Sequence, residues 1–257
     1  MEKLTIIKVG GKIVEEEQSL KQLLKDFARI EGYKILVHGG GRSATKLAER
    51  LGIESRMING RRITDLETLQ IVTMVYGGLV NKNIVAGLQA LNVNALGLTG
   101  ADMNLIRSEK RPVREIDYGF AGDVKEVNTA ILSSLISQGI VPILAPLTHD
   151  KLGNILNTNA DTIAGETAKA LANVFEVSLV YCFEKKGVLM DENDDDSVIP
   201  SLNKAAFKDL VQKGVIQGGM IPKLDNAFES IEAGVKEVVI TSADEIGKTS
   251  GTHIYLP

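Results

Sequence analysis

The stretch ILVHGGGRSATKL, Ile35 to Leu47, joins a short apolar run to a helix-period segment through three consecutive glycines. An apolar run that ends in glycines is typical of a buried strand, and a glycine turn that opens a helix is typical of a parallel β/α unit. The stretch is not a P-loop, because G-x-x-x-x-G-K-[ST] is absent. It is not a dinucleotide fingerprint either, because Ala44 stands where G-x-G-x-x-G needs its last glycine counted from Gly39. The glycines predict a turn that a ligand can approach closely, without naming that ligand.

The same alternation extends along the chain in both directions. The candidate strands are 4–10, 33–39, 93–100, 139–147, 176–183 and 236–242. The candidate helices cover about 16–30, 42–51, 65–91, 128–138, 160–173, 203–213 and 222–234, and hairpins are expected near 56–63, 104–125 and 188–199. Alternating elements with continuously apolar strands predict an α/β fold: an open, mostly parallel, doubly wound sheet with helices on both faces. A soft boundary divides the chain into an amino-terminal region, residues 1–175, and a carboxyl-terminal region, residues 176–257.

The composition narrows the class of protein. The 257 residues are 44% hydrophobic and 24% charged, which suits a globular chain with a sizeable core. The net charge of −4 argues against a nucleic-acid partner. The single cysteine, Cys182, lies in an apolar run and suits a reducing compartment. No apolar run approaches about 18 residues and no secretory leader is visible, so we expect a cytoplasmic protein without a membrane partner.

Ligands of open α/β sheets bind beyond the carboxyl ends of the strands, so the residues there carry the chemistry. Lys8 comes just before Gly10 and Gly11, and a second lysine, Lys223, follows the pair Gly218 and Gly219. Lysines beside backbone N–H groups at glycine turns describe a site for phosphate oxygens. A carboxylate such as Asp161, in the segment NTNADTIAG, could hold the lysine ammonium groups in place without acting as a base.

Five motifs occur in order along the chain: KVGG, VHGGG, NGRRIT, NTNADTIAG and GGMIPK. Together they resemble the amino acid kinase family, and within it the branch that phosphorylates N-acylglutamates. The segment GLTGADMNLI and the late Gly251–Ile254 fit as well. The resemblance implies transfer of the γ-phosphoryl group of ATP to the γ-carboxylate of an N-acylglutamate, N-acetyl- or N-succinyl-glutamate, as a step of arginine biosynthesis. A carboxylate is already ionised at pH 7, so this reaction needs no general base.

The resemblance also implies roles for single residues. Lys8 and Lys223 would flank the transferred phosphoryl group, and Asp161 would orient both. Gly11 and Gly40 would offer backbone N–H groups to it. Arg62 would pair with the α-carboxylate, a bidentate task that suits arginine, while Asn157 would hold the acylated amino acid. The acylglutamate would be bordered by Gly40 and Gly41, and the phosphoryl groups of ATP by Gly10, Gly11, Gly187, Gly218 and Gly219.

By the same resemblance, residues 1–175 would bind the acylglutamate and form a homodimer, and residues 176–257 would bind ATP. Magnesium would arrive with the nucleotide and need no protein metal site. The run 74–91 has helical apolar spacing typical of a core, with a dimer interface as a second interpretation. Since the chain starts directly in its first strand, we expect no arginine-controlled hexamer.

Two departures from the family pattern matter. Phe183 and Glu184 stand where a Ser/Thr-Asp pair is usual, which puts the adenosine contacts in doubt. Arg61 replaces an apolar residue and could suit a second carboxylate on the acyl group, against the alternative of a surface arginine. Other functions stay open: a kinase of glutamate, aspartate, carbamate or UMP, or a non-catalytic nucleotide-binding regulator. A dinucleotide oxidoreductase is disfavoured by the missing fingerprint.

Overall fold

The computed structural model describes residues 1–58, 60–247 and 250–256. Asn59, the first residue of NGRRIT, lies outside the described residues. The strands within them are β1 (Lys3–Val9), β2 (Tyr33–His38), β3 (Met57–Ile58), β4 (Arg61–Arg62), β5 (Ala95–Leu98), β6 (Ile106–Lys110), β7 (Gly122–Val127), β8 (Val141–Leu144), β9 (Leu147–His149), β10 (Ile155–Asn157), β11 (Glu176–Phe183), β12 (Ser201–Leu202), β13 (Glu237–Ser242) and β14 (Thr252–Ile254). The α-helices are α1 (Gly11–Glu15), α2 (Glu17–Arg29), α3 (Gly41–Arg50), α4 (Leu66–Val72), α5 (Asn81–Gln89), α6 (Thr129–Ser137), α7 (Ala160–Leu171), α8 (Lys204–Gln212) and α9 (Met220–Glu232).

The main sheet has the strand order β12-β14-β13-β11-β1-β2-β8-β5. All its pairs are parallel except β13 with β14, which confirms the open, mostly parallel α/β sheet. A smaller sheet, β10-β9-β6-β7, and the hairpin β3–β4 lie outside it. The boundary after residue 175 falls between α7 and β11, and the main sheet continues across it because β11 pairs with β1. Functional division at that boundary therefore stays a prediction.

Helices cover both faces of the main sheet and bury two cores. One core packs the sheet against α6, α7, α8 and α9, with Tyr181 and Phe228 among its largest side chains. The other packs it against α2, α3 and the long helix that follows β4, around Phe27 and Ile84. Because strands buried on both faces favour apolar residues, β1 and β2 are mostly apolar in the sequence.

The long helix runs from Leu66 to Gln89 as α4, a π-helical segment (Thr73–Val80) and α5. Its amino end is capped by Asp65, whose carboxylate accepts from Thr68 N at 2.8 Å. Among the described residues it is the one helix long and apolar enough to cross a membrane by length and composition, a test that core helices also pass. Its buried side packs against the sheet, while Met74 and Leu79 are 56% and 59% exposed.

The structure differs from the sequence prediction in one long strand and in several short elements, α1, β10, β12 and β14 among them. The predicted strand 139–147 is two strands, β8 and β9, separated at Ala145 and Pro146. Proline has no N–H to continue the ladder, and the chain turns instead into the smaller sheet. The short helix α1 and the strand β14 were not predicted, because five and three residues are too few to establish a period. The hairpins are confirmed by β3–β4, by β6–β7 and by a bridge between Leu189 and Val198.

Candidate active site

A buried ion pair lies at the carboxyl end of β1. Lys8 Nζ is 2.7 Å from Asp161 Oδ1, and the two residues are 7% and 9% exposed. Asp161 is held in the first turn of α7, where Asn159 caps the helix by accepting from the N–H groups of Asp161 and Thr162. An aspartate at a helix amino end is stabilised by the helix dipole, so the carboxylate is fixed in place beside the lysine.

Lys223, in the first turns of α9, approaches the same place from the other side. Among the described residues, no carboxylate lies within 4.0 Å of its ammonium group. The group lies instead over the ring of Phe183, 3.7 Å from the centroid, and Lys8 Nζ lies 4.9 Å from the same centroid. Burial lowers the pKa of Lys223, and the charge of Asp161 partly offsets this. The structure thus brings the predicted pair of lysines to one aromatic ring, with Asp161 in direct contact with Lys8 alone.

The glycine turns after β1 and β2 pack against each other beside the lysines. Gly39 N donates to Val9 O at 3.0 Å, and a Cβ built on Gly11 would lie 3.7 Å from Gly41 N. Gly40 precedes α3, and a Cβ there would lie 2.8 Å from Cδ1 of Tyr76. Glycine is favoured at Gly40, because an added Cβ would force the buried ring of Tyr76 to shift.

Two cavities border these turns, and a third shares Arg61 with one of them and Lys223 with the other. We name each cavity by its main feature. The arginine cavity, about 170 Å³, is bordered by Gly39–Gly41, Arg61, Arg62, Tyr76 and Asn157. The lysine cavity, about 430 Å³, is bordered by Lys8, Gly10, Gly11, Lys12, Phe183, Glu184, Gly187 and Lys223. The α9 cavity, about 660 Å³, is bordered by Arg61, Asp161, Gly218, Gly219 and Lys223. Gly41 borders the first two cavities, and Lys223 borders the last two.

Arg62 brings an uncompensated charge to the arginine cavity. Its guanidinium donates to Ser55 Oγ, to Gly41 O and to Thr45 Oγ1 at 2.7, 2.8 and 2.9 Å. The residue is 7% exposed, yet no carboxylate of the described chain lies within 4.0 Å of it. A buried guanidinium held only by neutral acceptors is costly unless an anion completes it, so this cavity is suited to an anionic ligand.

Asn157, at the end of β10, borders the same cavity and is held in a polar chain. Its side-chain amide donates to Thr64 Oγ1 at 2.9 Å, and that hydroxyl donates to Arg62 O at 3.0 Å. The Asn157 backbone N–H also donates to Phe120 O at 2.8 Å. The side-chain carbonyl of Asn157 is therefore fixed in orientation, as an acceptor that recognises the N–H of an amide must be.

Two further residues border the arginine cavity. Tyr76, which the sequence prediction missed, is placed there by the π-helical segment. Burial raises its pKa, and the charge of the nearby Arg62 partly offsets this. The one sequence signal was a lone aromatic residue in an aliphatic run. Arg61 borders the cavity instead of standing in open solvent, and burial and the nearby Arg111 lower its pKa.

Glu184 closes one side of the lysine cavity. Its carboxylate lies 3.2 Å from Lys12 Nζ and 3.1 Å from Arg42 Nη2, so one carboxylate after β11 joins cations from the starts of α1 and α3. All three side chains are about half exposed, so the pairs are screened by water and contribute little to stability.

The glycines predicted on the nucleotide side have different structural roles. Gly187 packs tightly, since an added Cβ would lie 2.8 Å from Thr252 Oγ1 and from Val198 Cγ1. Gly218 has a φ of +55°, a conformation that favours glycine, and Gly219 caps α9 without contacts that a Cβ would disturb. Within the described residues, no three or more His, Cys, Asp or Glu side chains are grouped to hold a metal ion.

Comparison with known proteins gives a family and close relatives. The sequence model of the amino acid kinase family matches residues 3–242. The chain is 75% identical to the acetylglutamate kinase of Parabacteroides distasonis over 99% of this chain and all of the relative. It is 73% identical to the acetylglutamate kinase of Phocaeicola vulgatus over 98% of each chain. The crystal structure of smu.665 from Streptococcus mutans is 28% identical, with a TM-score of 0.82 and 98% of each chain covered.

Proposed function

The chain belongs to the amino acid kinase family, and we propose that it transfers the γ-phosphoryl group of ATP to the γ-carboxylate of N-acetylglutamate. The observation that carries the proposal is the buried, uncompensated Arg62 on a cavity that adjoins the Lys8–Asp161 pair. The names of the relatives at 73–75% identity support the same acceptor. A guanidinium can hold the α-carboxylate bidentately, so the side-chain carboxylate of the acceptor points towards the lysines.

The residues account for the chemistry by position and charge alone. The acceptor carboxylate is ionised at neutral pH, so the site needs cations and N–H donors rather than a base. Lys8 and Lys223 neutralise charge that spreads over the phosphoryl oxygens and over the two oxygens between which the group moves. The Asp161 carboxylate holds the Lys8 ammonium group in place. Backbone N–H groups at Gly11 and Gly40 approach the oxygens where no side chain intervenes.

The lysine cavity is suited to a polyphosphate rather than to a bare metal ion. Its border offers Lys8, Lys12, Lys223 and glycine N–H groups, and its carboxylate, Glu184, is already paired with two cations. ATP would lie here, between Lys8, Gly10, Gly11 and Lys12 of the region 1–175 and Phe183, Glu184, Gly187 and Lys223 of the region 176–257. Magnesium would be held by phosphate oxygens and water and would supply further charge neutralisation there.

One observation favours a second candidate acceptor, N-succinylglutamate. Arg61 borders the arginine cavity without a carboxylate within 4.0 Å among the described residues, because the nearby Asp123 is paired with Arg111. N-succinylglutamate would offer a second carboxylate to this charge. Comparing kcat/KM for N-acetyl- and N-succinyl-glutamate in wild type and in Arg61→Leu decides between the two. A preference for the acetyl substrate that Arg61→Leu leaves unchanged rules out the succinyl substrate.

We also infer that the protein forms a homodimer through the long helix Leu66–Gln89. Its exposed side carries Leu66, Met74 and Leu79, each more than half exposed. Apolar side chains that share one side of a helix favour burial against a second copy. Sedimentation should give a dimer that Leu79→Glu with Met74→Glu converts to a monomer, and a wild-type monomer would contradict the inference.

Coupled ADP release with a panel of acceptors tests the activity. The panel contains N-acetylglutamate, N-succinylglutamate, glutamate, aspartate, carbamate and UMP, each with MgATP. Turnover should require an N-acylglutamate. In Lys8→Ala, kcat should fall by a much larger factor than KM rises, because the lysine acts in the transition state. Turnover of free glutamate but of no acylglutamate would overturn the proposal. ATP binding without turnover of any acceptor would favour a non-catalytic regulator.

A further inference from the structure

Lys223 differs from Lys8 in what holds its charge. Lys8 has a carboxylate at 2.7 Å, whereas the ammonium group of Lys223 has none within 4.0 Å among the described residues. Lys223 is on an amino-terminal turn of α9, where the helix dipole is unfavourable to a cation. A half-buried lysine in this position needs another source of stabilisation, since loss of water penalises its charged form.

The ring of Phe183 is the group that the ammonium actually contacts. At 3.7 Å from the ring centroid, Lys223 Nζ is well inside the roughly 6 Å over which a cation is attracted to an aromatic face. Lys8 Nζ lies 4.9 Å from the same centroid. One ring therefore contacts both lysines of the site, and it does so without adding negative charge that would repel a phosphate.

The fold fixes this ring firmly. Residues two apart on a strand share a face, so Tyr181 and Phe183 of β11 lie side by side with centroids 6.2 Å apart and planes inclined by 5°. Tyr181 is fully buried and is the register partner of Lys8 across the β1–β11 pair. Lys8, Tyr181 and Phe183 thus share one face of the sheet, beneath α7 and α9.

We propose that Phe183 is a positioning residue for phosphoryl transfer: its ring face holds the ammonium group of Lys223 at the lysine cavity in place of a carboxylate. The inference rests on the proposed function, since it concerns the same transfer step. An aromatic face attracts the ammonium more weakly than a carboxylate does, so the lysine can move to the phosphoryl oxygens without breaking an ion pair.

The groups that face Lys223 set the expected pH behaviour. They are Asp161 on α7, Lys8 on β1 and Glu184 after β11, besides the Phe183 ring. The ring stabilises the charged form of Lys223, so weakening the ring should lower the pKa of that lysine further. Because the charged form is the active one, activity should then be lost at a lower alkaline pH.

A series of fluorinated phenylalanines at position 183 tests the proposal. Fluorine withdraws charge from the ring face while changing ring size little, so mono-, di- and trifluoro-phenylalanine grade the attraction with packing nearly constant. Each would be incorporated at this position in the full chain, and kcat and KM for ATP measured across pH with saturating acylglutamate. The same residues at Phe207, a core residue remote from the cavities, are the matched control.

The expected result is a graded loss of kcat/KM for ATP, reaching about three- to tenfold with trifluoro-phenylalanine, and an alkaline limb lowered by about 0.5–1 pH unit. Phe183→Tyr should keep most of the activity and Phe183→Leu should lose it, with both folded. The proposal is overturned if kcat/KM for ATP does not change along the fluorine series at position 183, or if it falls equally when the same residues replace Phe207. Absence of phosphoryl transfer in the wild type would instead overturn the proposed function, so the two failures are distinct.

Discussion

A methyl group added at Gly40 should destabilise the fold through Tyr76. In Gly40→Ala, the new Cβ would lie 2.8 Å from Cδ1 and 3.1 Å from Cε1 of that ring. To restore a contact of 3.4 Å, the ring must move by about 3.4 − 2.8 = 0.6 Å. Tyr76 is 5% exposed and packs in the core between the sheet and the long helix, so the ring has little room to move.

Overpacking by one methyl group in a rigid core costs about 1–3 kcal/mol. For a chain of this size that corresponds to a fall of about 2–12 °C in Tm. Thermal melts and urea unfolding of Gly40→Ala measure it directly. Displacement of the ring also disturbs Arg62, so KM for the acylglutamate should rise in the same variant.

The neighbouring glycine offers the matched control. A Cβ on Gly41 would lie 3.8 Å from Arg62 Nη2 and 3.9 Å from the Tyr76 hydroxyl, which is ordinary contact. Gly41→Ala should therefore keep the wild-type Tm while raising KM for the acylglutamate, because its methyl group enters the arginine cavity. In a Tyr76→Ala background, the change Gly40→Ala should cost less than about 0.5 kcal/mol, since the ring is gone. An unchanged Tm for Gly40→Ala, or the same cost in both backgrounds, would refute the reasoning.

Arg62→Lys keeps the charge but loses the bidentate fork, and it should raise KM for the acylglutamate about 10- to 100-fold with a smaller change in kcat; an unchanged KM would show that the α-carboxylate binds elsewhere. Glu184→Gln frees Lys12 and Arg42 to meet phosphate oxygens and should lower KM for ATP by about two- to fivefold, as expected for exposed pairs; a raised KM would show that Glu184 itself binds the nucleotide. His38 is fully buried, and burial lowers its pKa to about 4 from 6.5. Below pH 6.5 the His38 imidazole is protonated in the unfolded chain but stays neutral in the folded chain. The free energy of unfolding should therefore fall by about 2 kcal/mol between pH 7 and pH 5 and keep falling towards pH 4. Urea unfolding of wild type and His38→Gln at both pH values checks this, and an equal loss in both proteins would assign the effect to other groups.

The order of elements and the pair Lys8–Asp161 were predictable because both follow from local rules. The central parallel strands are mostly apolar, so their positions are visible in the sequence, and the polar residues just beyond them must meet at one edge of the sheet. Arg62 and Asn157 were placed by the same order of motifs, and they do border one cavity. The uncompensated charge of Arg62 was not predictable, because it depends on which acceptors surround the guanidinium.

Tyr76 shows where sequence periodicity fails. The apolar spacing of 65–91 predicted a helix, which is confirmed, but the eight-residue π-helical segment changes the hydrogen-bond phase within it. The apolar pattern does not reveal that change, because the same sequence pattern is equally compatible with a uniform α-helix. The position of Tyr76 against Gly40 and Arg62 therefore required the structure.

Phe183 and Glu184 were visible in the sequence as departures from the family pattern, but only as a loss of the usual nucleotide contacts. In the structure they bind cations on two sides of one cavity: the ring contacts Lys8 and Lys223, and the carboxylate joins the cations at the starts of α1 and α3. Phe183 is the last residue of β11 and Glu184 the first residue beyond it, so these two neighbours reach different elements. Each cation held in this way is one that a phosphate can take over, because neither a ring face nor a half-exposed carboxylate binds it as strongly as Asp161 binds Lys8. The departures thus indicate a different way of holding the same positive charges. The fluorine series at Phe183 measures how the ring holds Lys223, and Glu184→Gln measures how the carboxylate holds Lys12 and Arg42.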